Sequence, residues 1–439
     1  MKKIAIKGTM SLMAMAALAG CGDLLDVNNP NNLVEESIRR EAAASAVANG
    51  SHALVASSVS QSWQPYLVAS DELRWIGSRD AWLSLDHGFV DDPYNEFIDG
   101  PFPAMGQARW MSDEAIEILT GHVGNNPEST SMRENLARAN LYSGIIYMVI
   151  GEVQEDFAFS DKTEDGPPVG AANMYTVIDA AIARLDAAIS TGNDDTALKA
   201  MAIRARAKHS RAIWDAINPA PSGNGLVSSP GAVMDADGVI AQQPGDWIYN
   251  FNYAAGTVDN SMASWINDRK ENQVDPSLVT WNAANDVDGI AMMDPIDGIA
   301  DPAVIKWMNQ WKGGNFMDKG NPYPPLTLAS TRMMHVIKAE NALAGGDMAG
   351  FAASVNAVRA MDGLTPYSGQ MDSMAMLQHT RRVNTLLQGL RLADMYRWGL
   401  KDELWQSAGA TSSAPGTMLP ISIIEVRANC HLNGLGCSG

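Results

Sequence analysis

Apolar residues recur at helical spacing along much of the chain. Over 174–189, Met174, Val177, Ile178, Ala181, Ile182, Leu185 and Ile189 fall on one face of a 3.6-residue period. Tyr142, Ile146 and Val149 mark another helix, and an Ala-rich stretch over 197–214 marks a third. Residues 333–358 read as two helices broken at Gly345-Gly346-Asp347: Met333, Val336, Ile337 and Leu343 face inward in the first, and Met348, Phe351, Ala352, Val355 and Val358 in the second. A late helix is expected through Val383, Leu386, Leu387, Leu390 and Ala393. Ala-rich amphipathic helices paired across short Gly/Asp turns predict tetratricopeptide-like packing, although no clean 34-residue repeat runs through the chain. The helical scaffold is thus expected over 130–217 and 329–399.

Two segments break this pattern. Residues 58–112 are rich in Trp, Tyr, Asp and Gly, and residues 218–328 in Pro, Gly, Asn and Asp with scattered aromatics. Structureless loops that long are unusual in a compact domain unless they work. Both are expected to form a large irregular, loop-rich layer over the helices and to carry the ligand site. The fold class expected is mainly α.

The N-terminus changes the picture. Lys2, Lys3 and Lys7 precede a short apolar run, as in a secretory signal peptide. The run ends in Leu18-Ala19-Gly20-Cys21, which matches the bacterial lipobox, so Cys21 is the expected lipidation site and mature N-terminus. Removing residues 1–20 takes away three lysines and no acid, and moves the net charge from −19 to −22. That balance argues against a nucleic-acid partner, whose affinity rests on neutralised phosphates. In an oxidising compartment, Cys430 and Cys437 are expected to close a small disulfide loop in the C-terminal tail.

Several segments together resemble one family. "CGDLLDVNNPNNL" after the lipobox, "ENLARANLYSGIIYMVIGEV" (134–153), "ENALAGGDMAGFAASVNAVRAMDGL" (340–364), "RRVNTLLQGLRLADMYRWG" (381–399) and "LPISIIEVRANCHLNG" (419–434) are similar to SusD/RagB-like outer-membrane lipoproteins, in family order. Arg382, Gly389, Arg391, Asp394, Arg397, Trp398 and Gly399 match; Thr385 and Gln388 replace two family glutamates, and Ser422 replaces a proline, marking a divergent member. The resemblance implies one domain over 21–439, SusD-like, on the cell surface and lipid-anchored in the outer membrane. It implies a SusC-like TonB-dependent transporter as partner, an oligosaccharide or peptide as ligand, and no catalysis. A helical-repeat scaffold that binds proteins is the alternative reading of the residues alone.

Candidate chemistry fits binding. The chain has no His-Glu-x-x-His, Gly-x-Ser-x-Gly or phosphate-loop motif. "DADG" (235–238) and "DVDG" (286–289) begin like calcium loops but lack the later ligands, so no cofactor is expected beyond a structural calcium ion in another geometry. The run "DELRWIGSRDAWLSLD" mixes rings with polar groups, which a sugar needs for its C–H faces and its hydroxyls. Trp75, Trp82 and Tyr94 are therefore expected to stack on the ligand, with Arg74, Asp71 and Asp80 as hydrogen-bonding partners. Asp394 lies three residues from both Arg391 and Arg397, a spacing that lets either arginine reach it on a helix, under Trp398.

Overall fold

The computed structural model describes residues 35–161, 164–318 and 320–437. Cys21 and the lipobox lie outside the described residues. Contacts divide the chain into residues 1–44 and 45–439. In the first unit the described residues form a short helix, Glu35–Ile38, and a 3-10 turn, Glu41–Ala43.

The second unit is mainly helical. It opens with α1 (Ala44–Val68, of which residues 45–68 belong to this unit), the short α2 (Asp80–Asp86) and α3 (Pro101–Asn125). A stack follows: α4 (Thr130–Val153), α5 (Tyr175–Thr191), α6 (Asp194–Ile217) and α7 (Pro230–Gln242). After α8 (Pro302–Lys312) come α9 (Thr331–Ala344), α10 (Met348–Met361), α11 (Ser373–Asn384) and α12 (Arg391–Arg397). Helices α3 to α7 pack in sequence order, α7 packs on α9, and α9 packs on α10 and α11. The period over 174–189 is realised: Val177, Ile178, Ala181, Leu185 and Ala188 of α5 are buried. Helix α5 comes so close to α4 that a Cβ on Gly151 would sit 2.4 Å from the Ile178 side chain. Side-chain caps start the helices, Ser129 on α4, Asn193 on α6 and Asp347 on α10, each accepting from a first-turn N–H.

The sheets are small and antiparallel. Strand β1 (Leu73–Trp75) pairs with β3 (Asn272–Val274), β2 (Ile248–Phe251) with β6 (Leu326–Ser330), and β4 (Val279–Trp281) with β5 (Val287–Ile290). Register Arg74↔Gln273 joins the two segments expected to be irregular, 199 residues apart in sequence.

Those segments contain more helix than their patterns suggest. Helix α1 runs to Val68, and over 55–70 every residue is buried except Ser57 and Gln61. A helix covered on nearly all sides keeps no polar face, so its period disappears. The run 235–238 is not a turn but the middle of α7: Asp235 is buried there by ion pairs to Arg204 (2.5 Å) and Lys208 (2.8 Å). Helix α8 has the Asp301-Pro302 start signature, with Asp301 Oδ1 accepting from Ala303 N–H, and buries Val304, Trp307, Met308 and Trp311. In the other direction, the late helix is broken. Residues 385–390 leave the helix, with Leu387 at φ 59° and Gly389 at φ 71°. A Cβ on Gly389 would lie 2.6 Å from the Trp63 indole, so only glycine lets this loop lie on the core. Its buried backbone is satisfied by side chains: Leu387 N–H donates to Glu72 (3.0 Å), and Arg206 donates to the Gln388 carbonyl (2.9 Å).

Candidate functional site

The six residues expected to form a binding surface do not share one. Trp82 is 1% exposed, stacked on Phe97 with centroids 3.6 Å apart and planes 7° off parallel. It is a core anchor. Arg74, 8% exposed, pairs with Asp86 (2.9 Å), Asp275 (2.6 Å) and Asp402 (2.7 Å). Asp71 accepts a two-pronged hydrogen bond from Arg391 (2.6 and 2.8 Å) and pairs with Arg382 (3.0 Å). Trp75 is half-buried against the core. Asp80 is exposed in the first turn of α2, and Tyr94 is 64% exposed. The alternating charges and rings of 71–86 therefore staple the loop layer to the C-terminal helices. Arg391 is spent on Asp71, so Asp394 is held by Arg397 (2.8 Å) and Arg381 (2.6 Å) instead, with the Arg397 guanidinium 4.0 Å from the Trp398 ring centre.

Burial sets the charge states at this junction. Glu72, next to Asp71, is pushed up to about 8 by burial and then by Asp71's charge. Asp86 is pushed up to about 6 by burial, against the attraction of Arg74. Burial works against ionised Asp71 too, but the Arg391 hydrogen bonds and the charges of Arg391 and Arg382 hold its carboxyl below the usual range.

A cleft of about 460 Å³ opens beside this junction, within the usual range for ligand pockets. Its floor is the half-buried pair on α1, Ser57 and Gln61. One side is lined by residues 259–261 and by the π-helical turn Ser264–Asp268, which presents Trp265 and Asp268, with Arg269 capping the turn. The other is Pro322-Tyr323, held in the rigid run Asn321-Pro-Tyr-Pro-Pro. An extra residue in a helical turn re-aims side chains, and such turns recur at functional sites. Hydrogen bonds tie the walls together: Asn260 Nδ2 donates to the Pro324 carbonyl (2.8 Å), and Asn267 Nδ2 to the Asn321 carbonyl (2.7 Å). Below them the buried Lys312 ammonium donates to Asn267 Oδ1 (3.0 Å), its pKa lowered by burial.

The cleft differs from the junction in what is left open. Trp265 is half-buried, fixed edge-on by Phe97 (5.1 Å) and Trp82 (5.8 Å). The Arg269 guanidinium lies 4.4 Å from its ring centre. The side chains of Asp259, Asp268 and Arg269 are exposed and make no hydrogen bond or ion pair among the described residues. Rigid rings next to unspent donors and acceptors can hold a polyhydroxylated ligand, apolar face to ring and hydroxyls to charge. The one sequence signal for Tyr323 is its proline neighbours, which fix the ring; Trp265 is one of the scattered aromatics of 218–328 with no local mark of its role.

Among the described residues, two clusters have metal-ligand composition. Ligand atoms of Asp294, Asp301 and His379 lie within 4.8 Å of one another. Their lone pairs are largely spent on protein donors: Asp294 takes both Arg359 nitrogens (2.7 and 3.0 Å), and Asp301 caps α8 and meets His379 at 2.9 Å. A cation would have to displace Arg359. Cys430 and Cys437, beside His431, are joined to each other as a disulfide.

No protein-family model matches the chain, and no curated protein matches it in sequence. Solved structures do. A SusD superfamily protein from Bacteroides fragilis aligns over 89% of this chain and 98% of its own, with TM-score 0.63 and 14% identity. One from Bacteroides thetaiotaomicron VPI-5482 aligns over 88% and 97%, with TM-score 0.61 and 13% identity. A SusD-like carbohydrate-binding protein from Bacteroides vulgatus ATCC 8482 aligns over 81% and 82%, with TM-score 0.53 and 12% identity. Helical stack, small antiparallel sheets and loop layer together have the fold of the SusD superfamily.

Proposed function

We propose that this chain is a lipid-anchored binding protein of the outer-membrane surface. Its cleft captures an oligosaccharide and passes it to a SusC-like, TonB-dependent transporter. The observation that carries the reading is the cleft itself: Trp265 and Tyr323 both line it, together with the unspent side chains of Asp259, Asp268 and Arg269. The carbohydrate-binding name of the Bacteroides vulgatus neighbour supports the ligand class. The lipobox supports an anchor at Cys21, with residues 1–20 removed and 21–439 as the mature chain; acyl chains contribute ~0.8 kcal/mol per buried CH₂. In this reading the protein binds and releases its ligand unchanged.

The test has two arms. The mature protein on an oligosaccharide array should bind at least one series, and Trp265→Ala should weaken that binding. A pull-down through the lipidated protein from native outer membranes should recover a β-barrel transporter. Equal binding by the wild type and Trp265→Ala would contradict the cleft assignment, and recovery of soluble proteins alone would contradict the transport role.

A further inference from the structure

Away from the cleft, one cluster of side chains offers hydrogen-bond donors with few acceptors. It draws on α1, α4, α6 and β2, and none of its members lines the cleft. His52 of α1 lies against two rings, Tyr142 of α4 (4.9 Å between centroids) and Phe251 of β2 (5.1 Å). Phe251 in turn meets Tyr249 edge-on at 6.2 Å. Two cations lie on the outer rings. The Arg138 guanidinium is 5.8 Å from the Tyr142 centre, and the Lys199 ammonium is 5.5 Å from the Tyr249 centre. The four rings thus form one contiguous base with a cation at either end.

The donors of this cluster are largely unspent. The chain has 50 acidic against 31 basic residues, so a basic side chain has carboxylates in excess to pair with. Arg74, Arg206, Arg332 and Arg397 all hold one. Half-buried Arg138 holds none among the described residues. It donates to Asn49 Oδ1 (2.6 Å) and, at 3.4 and 3.5 Å, to the Tyr142 hydroxyl. The His52 side chain makes no hydrogen bond or ion pair among the described residues. Nor does the Tyr249 hydroxyl, although Tyr249 is only 7% exposed. Burial pushes the Tyr249 pKa well above its usual value, so the hydroxyl keeps its proton. Burial also lowers the His52 pKa, and the charges of Arg138 and Lys199 lower it further. Both cations are therefore felt at one neutral imidazole, which has one N–H to give. One acid approaches, Asp195, and its exposed carboxylate is taken by Lys199 (2.5 Å).

A cluster of this kind is satisfied by a group with several acceptor oxygens. The guanidinium fork matches one edge of an oxyanion, the ammonium adds a point charge, and hydroxyls reach the remaining oxygens. A base of rings keeps water from one side and strengthens each contact. We infer that Arg138, Lys199 and His52, with the hydroxyls of Tyr142 and Tyr249, form a site for a tetrahedral oxyanion, a phosphate or sulfate group, separate from the ligand cleft. The site stands independently of the cleft reading. A free ion and a phosphorylated lipid headgroup present the same chemistry to it.

The probes are inorganic phosphate and sulfate, compared with chloride at equal ionic strength and titrated calorimetrically into the full mature chain near neutral pH. The wild type should bind one phosphate per chain, and phosphate should raise its thermal midpoint above that in chloride. Arg138→Met keeps an apolar stem against Tyr142 and removes the fork. It should lose at least about tenfold in phosphate affinity, the effect of one charge-assisted hydrogen bond. Tyr249→Phe keeps the ring and should lose about fivefold, with its midpoint in chloride unchanged. Magnetic resonance titration of His52 should show its pKa raised by phosphate, since an anion favours the charged imidazole. Vesicles of phosphatidylcholine, alone or with phosphatidic acid, separate the two sources on the Cys21→Ser chain, which has no acyl anchor. Retention on phosphatidic acid that Arg138→Met abolishes assigns the group to a lipid headgroup; phosphate binding without retention assigns it to a free ion. A wild type that treats phosphate and sulfate as it treats chloride overturns the site. So does undiminished phosphate binding by both variants, and so does a His52 titration that bound phosphate leaves unchanged.

Discussion

The junction around Arg74 and the cleft around Trp265 are built from the same residue types. Each has tryptophan, arginine and aspartate close together, and Trp82 and Trp265 even touch. They differ in satisfaction. At the junction one arginine meets three aspartates, and Trp82 is covered by Phe97. In the cleft two aspartates and an arginine meet water, on rings that are fixed but not covered. Composition tells where polar and aromatic groups gather. Only partner bookkeeping tells whether the protein has used them on itself. Buried charges need partners, whereas a ligand site must keep some groups unspent.

The comparison breaks most visibly at Arg74. Arg74→Met leaves Asp86, Asp275 and Asp402 facing one another without their cation. Removing one partner from a buried ionic cluster costs about 3–5 kcal/mol, so the urea midpoint should fall sharply while glycan affinity in the surviving folded fraction stays. A midpoint within error of the wild type would show that the junction is not a staple.

Trp82→Ala comes next. The loss of a covered ring costs about 3–5 kcal/mol, reduced where Phe97 and Trp265 relax into the space. Thermal unfolding should show a lower midpoint. Because Trp82 braces Trp265 edge-on, a modest secondary loss of binding is expected; a loss of binding with an unchanged midpoint would move Trp82 to the ligand side of the comparison.

Protonation gives the smallest and cleanest contrast. Glu72 and Asp86 have folded-state pKa values near 8 and 6, raised above their unfolded values. The folded state therefore holds protons that the unfolded chain releases, and their contribution to stability is lost as pH rises, from about 4 to 6 for Asp86 and from about 4.5 to 8 for Glu72. Glu72→Gln keeps the acceptor for Leu387 N–H without the charge. It should match the wild type near pH 5 and exceed it in thermal midpoint at pH 8. Parallel midpoint curves for the two proteins across that range would show that Glu72 titrates normally.

The amphipathic helices were legible because their burial is one-sided: α5, α9 and α10 follow the period of their apolar residues. The resemblance carried by 134–153, 340–364 and 381–399 reached the same architecture as the structural neighbours at 11–14% identity. What escaped has physical causes. Helix α1 lost its period through all-round burial, and α7 hid a buried Asp235 whose cations lie on α6. The break at 385–390 depends on Glu72 and Arg206, more than 170 residues away in sequence. The site residues failed for the same reason. That Asp71 belongs to Arg391, and Arg74 to Asp402, is long-range pairing that local spacing does not encode. Most of the rings and charges in 71–86 are paired within the fold, and only Trp82 and Arg79 among them reach Trp265.

The central claim is that Trp265 and Tyr323 serve a ligand and not the fold. The most direct measurement takes Trp265→Ala and Tyr323→Ala through thermal unfolding and calorimetric titration on the same preparations, against an oligosaccharide that the wild type binds. The account predicts a loss of about 1–3 kcal/mol in binding for each, with thermal midpoints lowered far less than by Trp82→Ala. Undiminished binding together with lowered midpoints would show that these rings are anchors like Trp82 and that the cleft is not the site.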